Sequence, residues 1–296
     1  MQNNSLPESE LILNRDGSVY HLHLQAEHIA DTVIMVGDPG RVQQVSKYFD
    51  LIDHRIQNRE FVTHTGAYKG TRITALSTGI GTDNIDIVLN ELDAAINIDP
   101  IKRVPISVRR KLTIVRIGTS GALQEDIPVG SQVVSEFGLG LDGLIYYYKY
   151  EFDAIEKELT DRMNNHLKWN SNLSRPYITK GSERLIELLG KGMVKGITAT
   201  ASGFYGPQGR RLSLDPSDPE INNRLRSFTF QNHRVVNFEM ETSALYGLGN
   251  LLHHDCCTCC LVIANRIRKE YKDDYSKDVD SLIQTVLERL VSGGNR

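Results

Sequence analysis

No stretch of this 296-residue chain has the length of a membrane span; the longest dense apolar piece is "CCLVIA" at 259 to 264. Positive charge is not in surplus either: 34 Lys and Arg against 37 Asp and Glu leave a net charge of -3, which provides no electrostatic footprint for nucleic acid. The amino terminus, "MQNNSLPESELILNRDGS", is polar and acidic where a secretory signal needs a basic start and an apolar run, so nothing marks the chain for export. Internal repeats and low-complexity linkers are missing as well. These absences argue against membrane and nucleic acid as partners and turn attention to a small-molecule site.

Cysteine is scarce and confined to one place, Cys256, Cys257, Cys259 and Cys260 of "HHDCCTCC", with His253 and His254 just before. Such density suggests a metal. Adjacent residues of a strand point to opposite faces, however, and the preferred reading is a buried strand "CCLVIAN" with no metal. Unbridged thiols favour a reducing cytoplasm.

Short β-branched runs alternate with longer amphipathic segments: "DTVIMVGDPGRVQQVSKYF" (31 to 49), "TRITALSTGIGTDNIDIVLNELDAAI" (71 to 96), "KLTIVRIGTSGAL" (111 to 123) and "KGITATASGFYGPQGR" (195 to 210). Each strand-like run ends in glycine, the way α/β proteins build ligand loops at the carboxyl ends of strands. Near the end, "VVNFEMETSALYGLGNLL" predicts a strand entering a helix, "CCLVIANRI" another strand, and "SLIQTVLERLV" a closing helix. One continuous α/β sheet accounts for this better than two domains; the division expected is a polar extension over 1–18 and a single domain over 19–296. The basic segment "IKRVPISVRRK" (101 to 111) reads as a solvated connection.

Four stretches carry candidate chemistry. In "MVGDPGRV", Gly37 and Gly40 leave backbone amides uncrowded at a helix start and Arg41 adds a guanidinium, a set suited to an oxyanion. A plain turn capped by Asp carries the same residues, and neither GxxxxGK nor GxGxxG is present. In "TIVRIGTSGAL", Arg116 interrupts an apolar strand and so should meet an anion, with Thr119, Ser120 and Gly121 following as donors; an internal pair with a carboxylate is the other reading. Two anion-friendly turns together point to phosphate. In "NFEMETSAL", Glu239 and Glu241 straddle Met240, a spacing that sends both carboxylates the same way and suits a ribose diol, although an acidic helix start looks alike. Finally, "FYGPQGR" offers Phe204 to stack, Gln208 with one donor and one acceptor arm, and Arg210 with donors only, which fits the alternating C=O and N–H edge of uracil.

In this order the motifs "GDPGRV", "NREF", "STGIG", "RIGTSGAL", "FYGPQGR" and "EMETSAL" resemble the uridine phosphorylase branch of the nucleoside phosphorylase-I (purine/uridine phosphorylase) family, over roughly Val19 to Ile267. The resemblance implies a three-layer α/β/α sandwich around a central mixed, partly barrel-like β-sheet, and reversible phosphorolysis of a nucleoside to free base and ribose 1-phosphate. It implies that Gly37, Arg41, Arg116 and Thr119 bind phosphate, joined by Arg59 from a neighbouring subunit. His21 would reach the ribose 5'-hydroxyl across the same interface, and Glu239, Met240 and Glu241 would hold the ribose. Phe204, Gln208 and Arg210 would grip uracil, with Ser120, Gly121 and Arg266 beside them. The catalytic set so implied is Arg210, Gln208, Arg41 and Arg116, with inorganic phosphate as co-substrate and no cofactor.

Asn265 stands where purine-specific relatives carry an aspartate, which makes it the most discriminating position for base class. "GTDNIDI" (81 to 87) replaces a small, Ser-rich stretch and weakens the case for a monovalent-cation site at Glu60. Segments 97 to 111 and 142 to 180 are longer than the family pattern, so assembly is expected to depart from the usual bacterial hexamer; with Arg59 and His21 acting across subunits, a homo-oligomer of at least two subunits, a dimer, is the minimum. The functions left to compare are a purine phosphorylase or a nucleosidase on the same fold, and a non-catalytic nucleoside-binding homologue.

Overall fold

The computed structural model describes residues 5–293. In chain order its strands are β1 (Thr32–Val36), β2 (Leu51–Asn58), β3 (Phe61–Tyr68), β4 (Thr71–Ser77), β5 (Ile98–Asp99), β6 (Val104–Pro105), β7 (Thr113–Ala122) and β8 (Gln132–Gly140). There follow β9 (Tyr177–Lys180), β10 (Val194–Thr200), β11 (Thr229–Phe230), β12 (His233–Glu239), β13 (Asp255–Asn265) and β14 (Glu270–Tyr271). The helices are α1 (Pro39–Ser46), α2 (Thr82–Asn97), α3 (Ala154–Leu167), α4 (Glu183–Leu189), α5 (Ile221–Ser227), α6 (Thr242–Leu251) and α7 (Ser276–Gly293).

All strands but β5 and β6 belong to one mixed sheet, whose path runs β11-β12-β10-β8-β13-β7-β1-β4-β3-β2. β12 also pairs antiparallel with β7, Phe238 opposite Gly121 and Asn237 opposite Ala122. That second pairing joins β12, β10, β8, β13 and β7 into a closed ring, and it is what makes the sheet barrel-like. Ala122, Val133, Val236 and Val262 of these strands form one buried apolar cluster.

Period-two alternation divides the strands between two helical layers. Ile34, Val36, Val115 and Ile117 pack under α1, α4 and α7. Val33, Met35 and Ile114 face α2 and α6 on the other side. α3 and α5 cover β8, β10 and β12 through Leu139, Ile197 and Ala199. The expected α/β sandwich with a partly closed mixed sheet is therefore the observed one.

The cysteines obey the same alternation. Cys257 and Cys259 lie in the layer under α4 and α7, and Cys256 in the layer under α6. Cys256 and Cys259 stand three apart, but on a strand that spacing places them on opposite faces.

Two expectations need correction. The run "RIGTSGA" does not turn at its glycines; β7 continues through Ala122, held by β13 on one side and β12 on the other. The connection at 101 to 111 exposes Ile101 and Val108 but is not merely solvated. Arg103 Nε donates to the carbonyl of Leu6 at 2.7 Å, Arg109 pairs with Asp93 at 2.8 Å and Arg110 with Asp31 at 2.7 Å. Through Arg103 the residues before 19 are bound to this segment, and Leu11 is buried.

Candidate active site

The ends of β1, β4, β7, β12 and β13 and the starts of α1, α2 and α6 converge on a cavity of about 890 Å³. At one end β1 gives way to α1. Asp38 caps the helix by accepting from Gly40 N at 2.9 Å, Pro39 occupies its first turn, and Arg41 follows in that turn, 9% exposed. Among the described residues no carboxylate pairs with Arg41. Burial, and then the neighbouring Arg116, push its pKa below the ordinary value. A buried cation raised in energy by a second cation is the electrostatic signature of an anion site.

Arg116 comes from the middle of β7. Its Nη1 lies 3.2 Å from Glu239 Oε2, its Nη2 donates to Glu241 Oε2, and Nη1 also reaches Cys260 Sγ at 3.7 Å. The internal carboxylate pair is thus present, and both acidic residues of "EMETSAL" do face the same way. Burial lowers the Arg116 pKa, but Glu241 and Glu239 more than offset it, and the net direction is upward. Gly118 explains why the strand needs glycine here: a Cβ would sit 2.1 Å from Arg116 Nη1. The glycine makes room for a guanidinium rather than for a turn.

Glu241 is the N-cap residue of α6 and Glu239 the last residue of β12. Glu241 Oε1 accepts from the N–H of Gly81 at 2.8 Å, a glycine held at φ 101° before α2. Met240 lies between them on the cavity wall. Both glutamates engage Arg116 and neither pairs with Arg41.

The far end is built by "FYGPQGR". Gly206–Gln208 form a single 3-10 turn, with Gly209 in a left-handed conformation after it. Phe204, Gln208 and Arg210 all line the cavity. Arg210 stacks on the Phe204 ring, 3.7 Å from its centroid, and donates through Nη1 to Gln208 Oε1 and the Phe204 carbonyl. Burial, then Arg266, lower the Arg210 pKa to about 10. Arg266 donates to the carbonyls of Gln208 at 3.0 Å and Gly209 at 3.3 Å, so much of its guanidinium clamps the turn.

Ser120, Gly121, Thr119 and Gly37 also line the cavity, Ser120 Oγ accepting from Asn237 Nδ2 at 2.9 Å. Glu60 reaches the wall too. Asn265 does not. Its Nδ2 donates to the carbonyls of Gln124 and Ile127, and its Oδ1 accepts from the N–H groups of Ile267 and Arg268. The position singled out for base class is a brace for the strand exit that presents Arg266.

His21 and Arg59 stand apart from the cavity of their own chain, but together. Asn58 Nδ2 donates to the His21 carbonyl at 2.7 Å, the Arg59 guanidinium lies 5.7 Å from the Tyr20 ring centroid, and His21 Nδ1 is 2.6 Å from Glu91 Oε1 on α2. The tip of the β2-β3 hairpin therefore divides, with Glu60 at the cavity and Arg59 on this outer patch.

Sequence reading missed the apolar wall formed by Phe238, Ile263, Ala264 and Tyr271. The signal for Ile263 is a bulge: the β13 register against β7 shifts between Val262 and Ala264, which breaks the alternation of a strand that otherwise reads as buried throughout. Phe238 faces the cavity only because β12 crosses to β7.

The chain is similar to known proteins over most of its length. The family model described as "Phosphorylase superfamily" matches residues 31–293. The uridine phosphorylase of Thermococcus kodakarensis is 31% identical over 263 residues, covering 86% of this chain and 80% of that protein. The uridine phosphorylase of Haemophilus influenzae is 28% identical over 262 residues, covering 86% and 90%. Among solved structures, a Trypanosoma brucei nucleoside phosphorylase described as showing uridine phosphorylase activity superposes with a TM-score of 0.86 at 29% identity, covering 96% of this chain and all of that one.

Proposed function

The chain belongs to the phosphorylase superfamily, and on that premise we propose that it catalyses the reversible phosphorolysis of a pyrimidine nucleoside, uridine and phosphate giving uracil and ribose 1-phosphate. One observation carries the reading. A single cavity has a buried arginine without a carboxylate partner at one end and a flat aromatic with an amide and a guanidinium at the other, with Met240 and Glu241 between.

Phosphate is held by Gly37 N–H, Arg41, Arg116 and Thr119. Because Glu239 and Glu241 already engage Arg116, Arg41 is left as the guanidinium of this end that no carboxylate pairs with among the described residues, and a dianion calls for a further cation. Arg59 of a neighbouring subunit supplies it, and His21 crosses with it to the ribose 5'-hydroxyl. This argues for a homo-oligomer of at least two subunits. The bound phosphate lies beneath C1' and offsets positive charge at an oxocarbenium-like ribosyl centre, while Gln208 and Arg210 draw negative charge onto the departing uracil. No side-chain nucleophile is needed. Stabilisation of this kind grows towards the transition state, which is the condition for raising turnover. The buried free thiols suit a cytoplasmic setting.

The test is product analysis over uridine, thymidine, inosine and adenosine, each with and without phosphate. Uracil and ribose 1-phosphate are expected from uridine only when phosphate is present. Equal base release without phosphate would falsify phosphorolysis in favour of hydrolysis, and faster cleavage of inosine than of uridine would move the assignment to purines.

A further inference from the structure

Glu239 lines the cavity, yet its carboxylate is already engaged on every side. Oε1 accepts from the Thr200 hydroxyl at 2.8 Å and the N–H of Thr242 at 3.1 Å. Oε2 accepts from the N–H groups of Glu241 and Thr242, both at 3.0 Å, and lies 3.2 Å from Arg116 Nη1. A carboxylate offers roughly four acceptor sites, and these four donors fill them. Glu241 differs. Its Oε1 accepts from Gly81 N and its Oε2 from Arg116, which leaves lone pairs for two sugar hydroxyls.

The hydrogen bonds continue behind Glu239, away from the cavity. The Thr200 hydroxyl, fully buried at the end of β10, accepts from the N–H of Ser243 at 3.0 Å. Ser243 Oγ donates to Asp142 Oδ2 at 2.9 Å. Asp142 is fixed in turn by the Tyr177 hydroxyl at 2.9 Å and the N–H of Leu144 at 2.7 Å. A line of polar groups thus runs from the end of β8, through the first turn of α6, to the end of β10 and into the site. Thr200 is the link at which it enters.

We propose that Thr200, backed by Ser243 and Asp142, is a positioning residue: it locks the Glu239 carboxylate onto the N–H groups of Glu241 and Thr242 at the start of α6 and so sets the height of Met240 and Glu241 over the cavity, leaving Glu241 as the carboxylate that takes the sugar. The proposal deepens the phosphorolysis reading and rests on it for the identity of the sugar. Arg116 is held in the middle of β7 beside Cys260 of β13, and Arg41 stands on α1, all away from the Thr200 link, so the phosphate end should be spared.

Thr200→Val keeps the branched shape and removes the hydroxyl; Thr200→Ser keeps the hydroxyl. Both are assayed with whichever of uridine and inosine the unaltered enzyme cleaves faster with phosphate. A wrong base assignment then shows in the unaltered enzyme, and a wrong network only in the variants. Thr200→Val is expected to raise the nucleoside KM about tenfold with the phosphate KM unchanged, and Thr200→Ser to stay within about twofold of the unaltered enzyme, as fits loss or retention of one hydrogen bond to a charged group. An unchanged nucleoside KM in Thr200→Val, an equal rise in both KM values, or a Ser variant as impaired as the Val variant overturns the proposal. If Thr200→Val does not fold, Thr200→Ala makes the same comparison, since it too removes the hydroxyl that donates to Glu239: a selective rise in nucleoside KM supports the network, and any other pattern overturns it.

Discussion

The guanidinium of Arg210 sits over the ring of Phe204, 3.7 Å from its centroid, and donates through Nη1 to Gln208 Oε1. Stacking and hydrogen bonding together fix the plane of the guanidinium while its Nε and Nη2 donors stay free of both contacts. Arg210 is thereby aimed before any base arrives. Replacing it by Ala is expected to lower turnover of uridine by about 10², comparable to losing an oxyanion donor. Lys should rescue little, since an ammonium has neither the plane to stack nor the fork to share. Steady-state rates at saturating uridine and phosphate check this; unchanged turnover with only weaker nucleoside binding contradicts the role.

Arg41 is the buried cation whose charge no carboxylate answers among the described residues. Arg41→Ala should raise the phosphate KM by about 10- to 100-fold, the range for a hydrogen bond to a charged group lost from a buried site. Nucleoside affinity measured without phosphate should hardly move. Equal weakening of both ligands would place Arg41 elsewhere in the mechanism.

If Arg59 serves a neighbouring subunit's site, two inactive variants can repair each other. Arg59→Ala and Arg210→Ala proteins, each impaired alone, are unfolded, mixed and refolded together. Random pairing in a dimer leaves about a quarter of the sites with both arginines intact, so about that fraction of activity should return. Recovery no greater than the average of the two parents removes the shared-site arrangement.

Asp93 offers a test of stability against pH. Burial raises its pKa, but His254, Asn97 and Arg109 outweigh that, and the net direction is below the ordinary 3.8. Asn97 Nδ2 donates at 2.6 Å, Arg109 Nη2 at 2.8 Å, and His254 Nε2 is 3.4 Å away. A lowered carboxylate pKa adds stability that is present above the unfolded value and is lost as pH falls through the folded one. Asp93→Asn should therefore cost about 1 kcal/mol at pH 7 and show a flatter decline of melting temperature below pH 4 than the parent does. Thermal melts between pH 7 and pH 2 measure both; parallel curves would mean that Asp93 titrates alike in the folded and unfolded chains.

Much of the site was legible because its chemistry is local. "GDPG" encodes a capped helix start, and "GFYGPQG" cannot continue either regular structure, so their polar residues had to project from turns. Arg116 was legible as an anomaly, a charge inside an apolar strand. Its partners were not, since Glu239 and Glu241 lie more than a hundred residues away and meet it only after the sheet has formed. Gly118 and Gly121 misled for a related reason. Glycine ends many strands, and the collision that Gly118 avoids is visible only once the Arg116 side chain has its place.

What the sequence determined by itself is the supply of groups: which turns exist, which carry cations, carboxylates or flat rings, and which strands are apolar on both faces. Tertiary structure alone decided the ring closure of β12 onto β7, the bulge that turns Ile263 and Ala264 to the cavity, and the separation of His21 and Arg59 from their own site. Propensity and capping act over a few residues, whereas strand register and cavity walls come from packing between distant segments, and that packing is settled by the whole core at once.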